Sequence, residues 1–340
     1  MSGPGAGRVT FDTGHIMYET SGLEGSAEEQ DAEERRRAWR ARREAMEAAP
    51  NGTKWSKHFR RTYHRGAHVA GRLIAPTRYG RRAAAKALRI GLTELSFEFP
   101  DLPPAFDGYT ILQLTDLHLD NIEGTGHAAA RRVAGIEADL CVITGDVRDN
   151  IRAPIGPVLD ELAYVLSGVG VRDGVLGILG NHDSAAMVDP MEQLGVQMLL
   201  NETVTIARRG ERIHITGTDD IHLFHTEEAD QALAAAPRGF CIALVHSPEI
   251  AHHAAARHRL YLCGHTHGGQ VCLPNGRPII TGLKRHRKYA RGHWEHDGMT
   301  GYTCRGIGAS LLPTRFNCEG EVVLITLRRG PHGGSHGGDD

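Results

Sequence analysis

The chain lacks several features that would place it quickly. Aromatic residues make up only 6% of its 340 residues. The cysteines Cys141, Cys241, Cys263, Cys272, Cys304 and Cys318 form no CxxC pair, and scattered thiols in a long chain argue against a disulfide framework. Cys141, Cys241 and Cys263 lie inside apolar runs, so the cysteines read as small buried hydrophobes in a reducing compartment. No apolar run is long enough to span a bilayer. The opening MSGPGAGRVTFDTGH has no basic region followed by an apolar core, so it does not read as a secretory signal. Arg81-Arg82 lies far inside the chain, with charged residues soon after, and does not read as a twin-arginine signal. A cytoplasmic location, with peripheral membrane contact as an option, is the expectation. No internal repeat is present. The net charge of -2 gives no global argument for a nucleic-acid partner.

Acid is also missing locally, and this divides the chain. Residues 51–93 contain no Asp or Glu but carry Lys54, Lys57, Arg60, Arg61, Arg65, Arg72, Arg78, Arg81, Arg82, Lys86 and Arg89. Trp55, Phe59 and Tyr63 recur there at helical spacing, with a second short helix expected around 81–89. This basic segment reads first as a helix packed on a catalytic domain. Docking on anionic lipid headgroups comes second, and single-stranded nucleic acid a distant third. Before it, residues 1–50 divide into a Gly-rich polar stretch, expected disordered, and an Arg/Glu-dense stretch from 25 to 48. The latter is expected to form a solvent-exposed helix laced with i,i+4 pairs. Residues 94–328 hold the apolar runs of a folded domain, and 329–340 read as a disordered tail.

Within 94–328, short apolar runs alternate with helical patterns at 126–136, 154–167, 188–195 and 227–236. This predicts an α/β domain with antiparallel strands added late. The residues that follow the runs carry the chemistry. Thr110–Leu114 leads to Asp116 and His118, and Leu140–Thr144 leads to Asp146 in GDVRD. Val175–Leu179 leads to Asn181, His182 and Asp183, Phe240–Val245 to His246, and Leu260–Cys263 to His265 and His267. The carboxyl ends of strands in open α/β sheets form a ligand crevice. Asp-x-His and His-x-His put alternate residues on one side of an extended segment. Carboxylate, imidazole and amide oxygen without thiolate suit Mn, Fe, Zn, Co or Ni, with Mn favoured. Asp116, His118, Asp146, Asn181, His246, His265 and His267 are too many for one tetrahedral ion and fit two divalent ions sharing a carboxylate.

The ordered series DxH, GDxxD, GNHD, a lone His and GHTH resembles the calcineurin-like metallophosphoesterase signature. TDLHLD, TGDVRDN, VHSPE, CGHTHGGQVCLP and RGIGASLLPTRF, over roughly residues 96–328, are similar to its bacterial YkuE/YaeI-like branch. The resemblance implies a four-layer α/β/β/α sandwich. It implies that Asp116, His118, Asp146 and His267 hold one ion, and that Asp146 bridges to a second held by Asn181, His246 and His265. His182 is implied as the residue that contacts substrate phosphate and assists the leaving group, with Asp183 orienting its imidazole. The branch is similar to enzymes that cleave the pyrophosphate of a diacylated nucleotide sugar. Hydrolysis of a phosphodiester or pyrophosphate, on a small-molecule or lipid-linked substrate, is therefore the expectation. The rivals are a phosphomonoesterase, including a protein phosphatase, and a non-catalytic metal-binding scaffold.

Other polar residues are weighed against plainer roles. Arg305 and Arg315 could grip a phosphate bidentately, although a salt bridge or an exposed arginine is the readier reading. His214, His222, His225, His252, His253, His258, His286, His293 and His296 are read as surface or loop residues, and His332 and His336 as part of the tail. The sequence leaves the oligomeric state open.

Overall fold

The computed structural model describes residues 27–49, 77–78, 85–331 and 333–335. The spacing of Trp55, Phe59 and Tyr63, most of the basic segment, and the stretches 1–24 and 336–340 read as disordered all lie outside the described residues.

Elements are numbered in chain order. The helices are α1 (Ala27–Ala48), α2 (Thr125–Val133), α3 (Gly156–Leu166), α4 (Val188–Gln193), α5 (Glu227–Ala234) and α6 (Ala251–Ala254). The strands are β1 (Ile90–Phe99), β2 (Thr110–Leu114), β3 (Ile136–Ala138), β4 (Leu140–Thr144), β5 (Val169–Val171), β6 (Val175–Ile178), β7 (Val196–Met198) and β8 (Glu202–Arg208). They continue with β9 (Glu211–Gly217), β10 (Phe240–Leu244), β11 (Leu260–Cys263), β12 (Gly292–His296), β13 (Met299–Thr303), β14 (Gly320–Arg329) and β15 (Gly333–Ser335).

Two sheets form the centre. A seven-stranded sheet runs β15-β1-β14-β2-β4-β6-β7, and a six-stranded sheet runs β12-β13-β11-β10-β9-β8. Period-two alternation explains how they stack. Leu140, Val142, Ile242 and Leu244 point into one core between the sheets. Their neighbours Cys141 and Ile143 face outward, where Ala129 and Val133 of α2 and Leu162 of α3 cover them. On the opposite outer face, Ala243 and Val245 pack with Ala229 and Leu233 of α5 and with Ala251 and Ala254 of α6. Because both faces of these strands are covered, their sequences are apolar throughout rather than alternating. The result is the expected α/β/β/α sandwich.

Strands β2, β4 and β6 are parallel neighbours, and so are β9, β10 and β11. Their carboxyl ends therefore lie along one edge of each sheet. Just below that edge Gln113 Nε2 ties the sheets together, donating to Thr144 Oγ1 at 3.0 Å and to the Cys263 carbonyl at 3.1 Å.

The ends of the domain differ from the sequence expectation. β1 begins at Ile90, before the expected border at 94, and pairs along its whole length with β14. Gly333–Ser335, part of the supposed disordered tail, adds an antiparallel strand to β1. The helix α1 is not free in solvent. Its i,i+4 pairs exist, as in Arg37–Glu33 at 2.9 Å. Arg36 and Arg40, however, pair with Glu192 and Asp189 of α4, and Arg42 with Glu228 of α5. Trp39 Nε1 donates to Asp219 at 2.8 Å, and Arg43 is 1% exposed. Composition alone could not reveal these partners, which lie 149 to 186 positions away along the chain. All six cysteines are free and buried.

His258, read as a surface or loop residue, lies in the loop between α6 and β11 but is fully buried, with Nδ1 3.1 Å from the Ala254 carbonyl. Burial lowers its pKa from 6.5 to about 4, despite the bond to Ala254. The unfolded chain therefore binds the extra proton between those values. Its contribution to stability is full above about pH 6.5 and is lost as the pH falls towards about 4. The loss is on the order of 3 kcal/mol. In urea melts at pH 7 and pH 4.5, His258→Gln should lose less stability on acidification than the wild type. Equal losses would contradict the assignment.

Candidate dimetal centre

Five candidate ligands sit in the left-handed backbone region that non-glycine residues rarely adopt: Asp116 (φ 48°), His118 (φ 42°), Asp146 (φ 54°), His265 (φ 73°) and His267 (φ 52°). Such strain persists only where the surroundings impose it, and it concentrates at functional sites. Here the surroundings are tight turns leaving β2, β4 and β11. Glycines make room for them. A Cβ on Gly180 would overlap Asp146 Oδ1, and one on Gly264 would overlap Asp116 Oδ2.

The turns bring the expected residues together. Asp116, His118 and His267 form one group of converging ligand atoms, and Asp146, His246 and His265 form another. In the first, His118 Nε2 is 3.1 Å from His267 Nε2, and His267 Nε2 is 3.4 Å from Asp116 Oδ1. In the second, His246 Nε2 is 3.1 Å from Asp146 Oδ2, and His265 Nδ1 is 2.7 Å from Asn181 Oδ1. Asp146 Oδ2 is also 3.7 Å from His118 Nε2, so one carboxylate oxygen lies between the groups. His246 Nδ1 faces the Thr144 carbonyl at 2.8 Å, which fixes its proton there and turns Nε2 towards Asp146. His246 Nε2 and His265 Nε2 are buried without a hydrogen-bond partner.

The electrostatics match the geometry. Burial pushes the His118 pKa down to about 4, against the pull of Asp146 and Asp149. Burial likewise holds His265 and His267 well below the usual imidazole range. These rings are neutral at pH 7 and keep their lone pairs. Burial opposes charge on Asp146, but His246, His182 and His118 hold it well below the usual carboxylate range. Burial opposes charge on His246 too, yet Asp146 raises it to about 10. Neutral imidazoles of His118, His265 and His267 gathered beside an ionised carboxylate, with the lone pair of His265 Nε2 unpartnered, are what divalent cations would satisfy. The residues present therefore fit such ions.

Residues 109–269 match the calcineurin-like phosphoesterase family. Over 77% of its length the chain is 31% identical to the Bacillus subtilis protein called uncharacterized metallophosphoesterase YkuE, 94% of which is covered. It is 27% identical to the Escherichia coli protein called phosphodiesterase YaeI, over 64% of this chain and 82% of that one. This chain belongs to the calcineurin-like phosphoesterases. It is a hydrolase of phosphoester bonds from a divalent-metal-dependent family.

In this phosphoesterase His182 lines a cleft of ≈ 360 Å³ with Asn181, His265, His267, Ser310 and Ile280. Asp183, expected to orient and charge-tune its imidazole, does not orient it, although its charge is among those that raise the His182 pKa. The Asp183 carboxylate accepts the backbone N–H groups of Asp146 (2.7 Å), Gly180 (2.9 Å) and Val147 (3.0 Å), and so ties together the turns after β4 and β6. His182 is held instead by Asp149, whose backbone carbonyl accepts Nδ1–H and whose carboxylate lies 3.9 Å from that nitrogen. Asp149 Oδ1 is also 3.3 Å from His118 Nδ1 and accepts the Ser310 hydroxyl at 2.9 Å. Its signal was the second Asp of GDVRD, to which no role was given.

His222, read as a loop residue, lies against His265 with ring centroids 4.3 Å apart. It pairs with Glu249, the acid that ends VHSPE, at 2.7 Å. Neither arginine weighed for phosphate lines the cleft. Arg305 pairs with the buried Glu321 at 2.6 Å. Arg315 is buried and donates to the carbonyls of Arg305 (2.7 Å) and Gly308 (2.8 Å).

Replacing Asp183 by Asn removes one acceptor oxygen and leaves buried N–H groups unpaired, at about 1–3 kcal/mol each. Guanidinium titration of Asp183→Asn should show a loss of at least about 2 kcal/mol. An unchanged midpoint would show that the carboxylate does not hold the turns.

Proposed function

We propose that this phosphoesterase holds two divalent ions and hydrolyses phosphodiester or phosphoanhydride bonds. Asp116, His118, Asp146 and His267 hold one ion, and Asp146, Asn181, His246 and His265 hold the other. The observation that carries this reading is the position of Asp146 Oδ2, within 3.7 Å of His118 and 3.1 Å of His246. When bound, two such ions clamp a phosphoryl group and stabilise in-line displacement by water. The mixed carboxylate, amide and imidazole donor set, without thiolate, is compatible with Mn, Fe, Zn, Co or Ni, and Mn is the ion favoured here.

The chain's own residues supply the rest. His182 Nδ1–H is committed to the Asp149 carbonyl, so Nε2, 3.5 Å from Ser310 Oγ, is the atom that can exchange a proton with a substrate. Burial disfavours the charged ring, but Asp146, Asp149 and the Asp149 carbonyl together raise its pKa above 6.5. Protonated His182 then donates to the departing oxygen. The name of the YaeI relative supports a diester. An apolar group on the substrate is supported by Ile279 and Ile280, each 58% exposed at the cleft, together with Leu311 and Leu312. A lipid-linked diester fits that rim. Among the described residues no helix is long and apolar enough to cross a membrane.

With Mn added, the protein should hydrolyse a chromogenic phosphodiester faster than the matching monoester. His182→Ala should lower kcat roughly 100-fold for an alkyl leaving group and far less for nitrophenolate, which needs no proton. In the wild type, kcat for the alkyl ester should fall as pH rises through the His182 pKa, and this limb should vanish in His182→Ala. Absence of diester turnover with every divalent metal, or faster monoester turnover, would overturn the reading.

A further inference from the structure

The turn that follows β6 is gripped from outside the domain's own sheets. Arg43 of α1 donates through Nη2 to the carbonyls of Gly180 (3.3 Å) and Asp183 (2.8 Å). These carbonyls bracket Asn181 and His182. Nη1 pairs with Asp219, and Nε donates to Glu47 Oε1 at 3.0 Å. The same Glu47 oxygen accepts the Ala185 N–H at 2.8 Å, just beyond the turn. The guanidinium lies 3.6 Å from the Phe224 ring centroid. The turn's carbonyls are thus held by Arg43, and its Gly180 amide by the Asp183 carboxylate at 2.9 Å.

We propose that Arg43 is a positioning residue for hydrolysis. It fixes Asn181 as an ion ligand and His182 as a proton donor, and it makes α1 a working part of the active site. The inference rests on the two-ion reading of Asn181 and His182 given above. A guanidinium suits the task because one planar fork reaches two carbonyls and two carboxylates while its face stacks on an aromatic ring. An ammonium is a point charge and could hold only part of this set. Residues that orient a metal ligand through hydrogen bonds typically change metal affinity or activity 10–100-fold when removed. The effect should fall on the ion held by Asn181, and on kcat rather than KM.

The test compares full-length wild type with Arg43→Ala, Arg43→Lys and Trp39→Phe. Trp39→Phe removes the indole bond to Asp219 and so loosens α1 without touching the turn. Calorimetric Mn titration reads each ion's affinity, steady-state assays on a phosphodiester with an alkyl leaving group read kcat and KM, and hydrogen exchange reads the amides of 180–185. Arg43→Ala should weaken one of the two Mn sites roughly 10-fold or more, leave the other near its wild-type affinity, and lower kcat by roughly 10–100-fold with KM nearly unchanged. It should also speed exchange in the turn. Arg43→Lys should recover part of each effect, and Trp39→Phe should leave Mn affinity near that of the wild type. If Arg43→Ala does not fold, Arg43→Lys and Arg43→Gln carry the same comparison. Wild-type Mn affinity and turn exchange in the Arg43 variants would overturn the proposal, as would an equal loss in Trp39→Phe. A wild type that binds two Mn without cleaving diesters would instead refute the proposed substrate class, and the affinity and exchange readouts would still decide the role of Arg43.

Discussion

Asp146 is an ionised carboxylate buried between imidazoles, and the edge of the domain is built around that fact. Its Oδ2 lies between His118 and His246, its Oδ1 accepts the His182 amide at 2.8 Å, and its own amide is held by Asp183 at 2.7 Å. A buried charge of this kind is tolerated only when paired and fully hydrogen-bonded. The glycines at 180 and 264, the left-handed ligand residues and the parallel strand ends all bring polar groups close enough to meet that requirement. The neutral rings of His118, His265 and His267 keep their lone pairs for a cation rather than for protons. A site suited to phosphoryl chemistry follows from how the charge is accommodated.

Much of this edge is visible in the sequence because the relevant signals are local. Apolar runs such as Leu140–Thr144 predict strands, and the residue after each run is the one delivered to the edge. What escapes is whatever depends on distant partners. Nothing near Asp183 shows that its carboxylate will turn to backbone amides rather than to the neighbouring imidazole. His222 reads as one histidine among many until the fold sets it against His265. The positive φ angles at Asp116 and Asp146 follow from crowding between turns that belong to different strands. The Arg/Glu pattern of α1 is consistent with a solvated helix, and only the position of Asp219 and of the turn after β6 gives Arg43 its partners.

The cleft joins two kinds of surface. On one side are Asn181, His182 and His265, held by Asp149 and the sheet ends. On the other are Ile279, Ile280, Leu311 and Leu312, which belong to loops after β11 and β13. The polar side is set by the two sheets, while the apolar side is carried by loops, the second of which also braces the ligands: Gly308 N–H donates to the Asp116 carbonyl at 2.8 Å, and Arg315 Nη2 lies 3.2 Å from His267 Nδ1.

The central claim is that two ions share Asp146. Crystals grown with Mn, measured on both sides of the Mn absorption edge, test it directly. The account predicts two anomalous peaks about 3.5–4 Å apart, one on each side of the Asp146 carboxylate. A single peak, or Mn bound by His222 and Glu249 with nothing at Asp146, would contradict it.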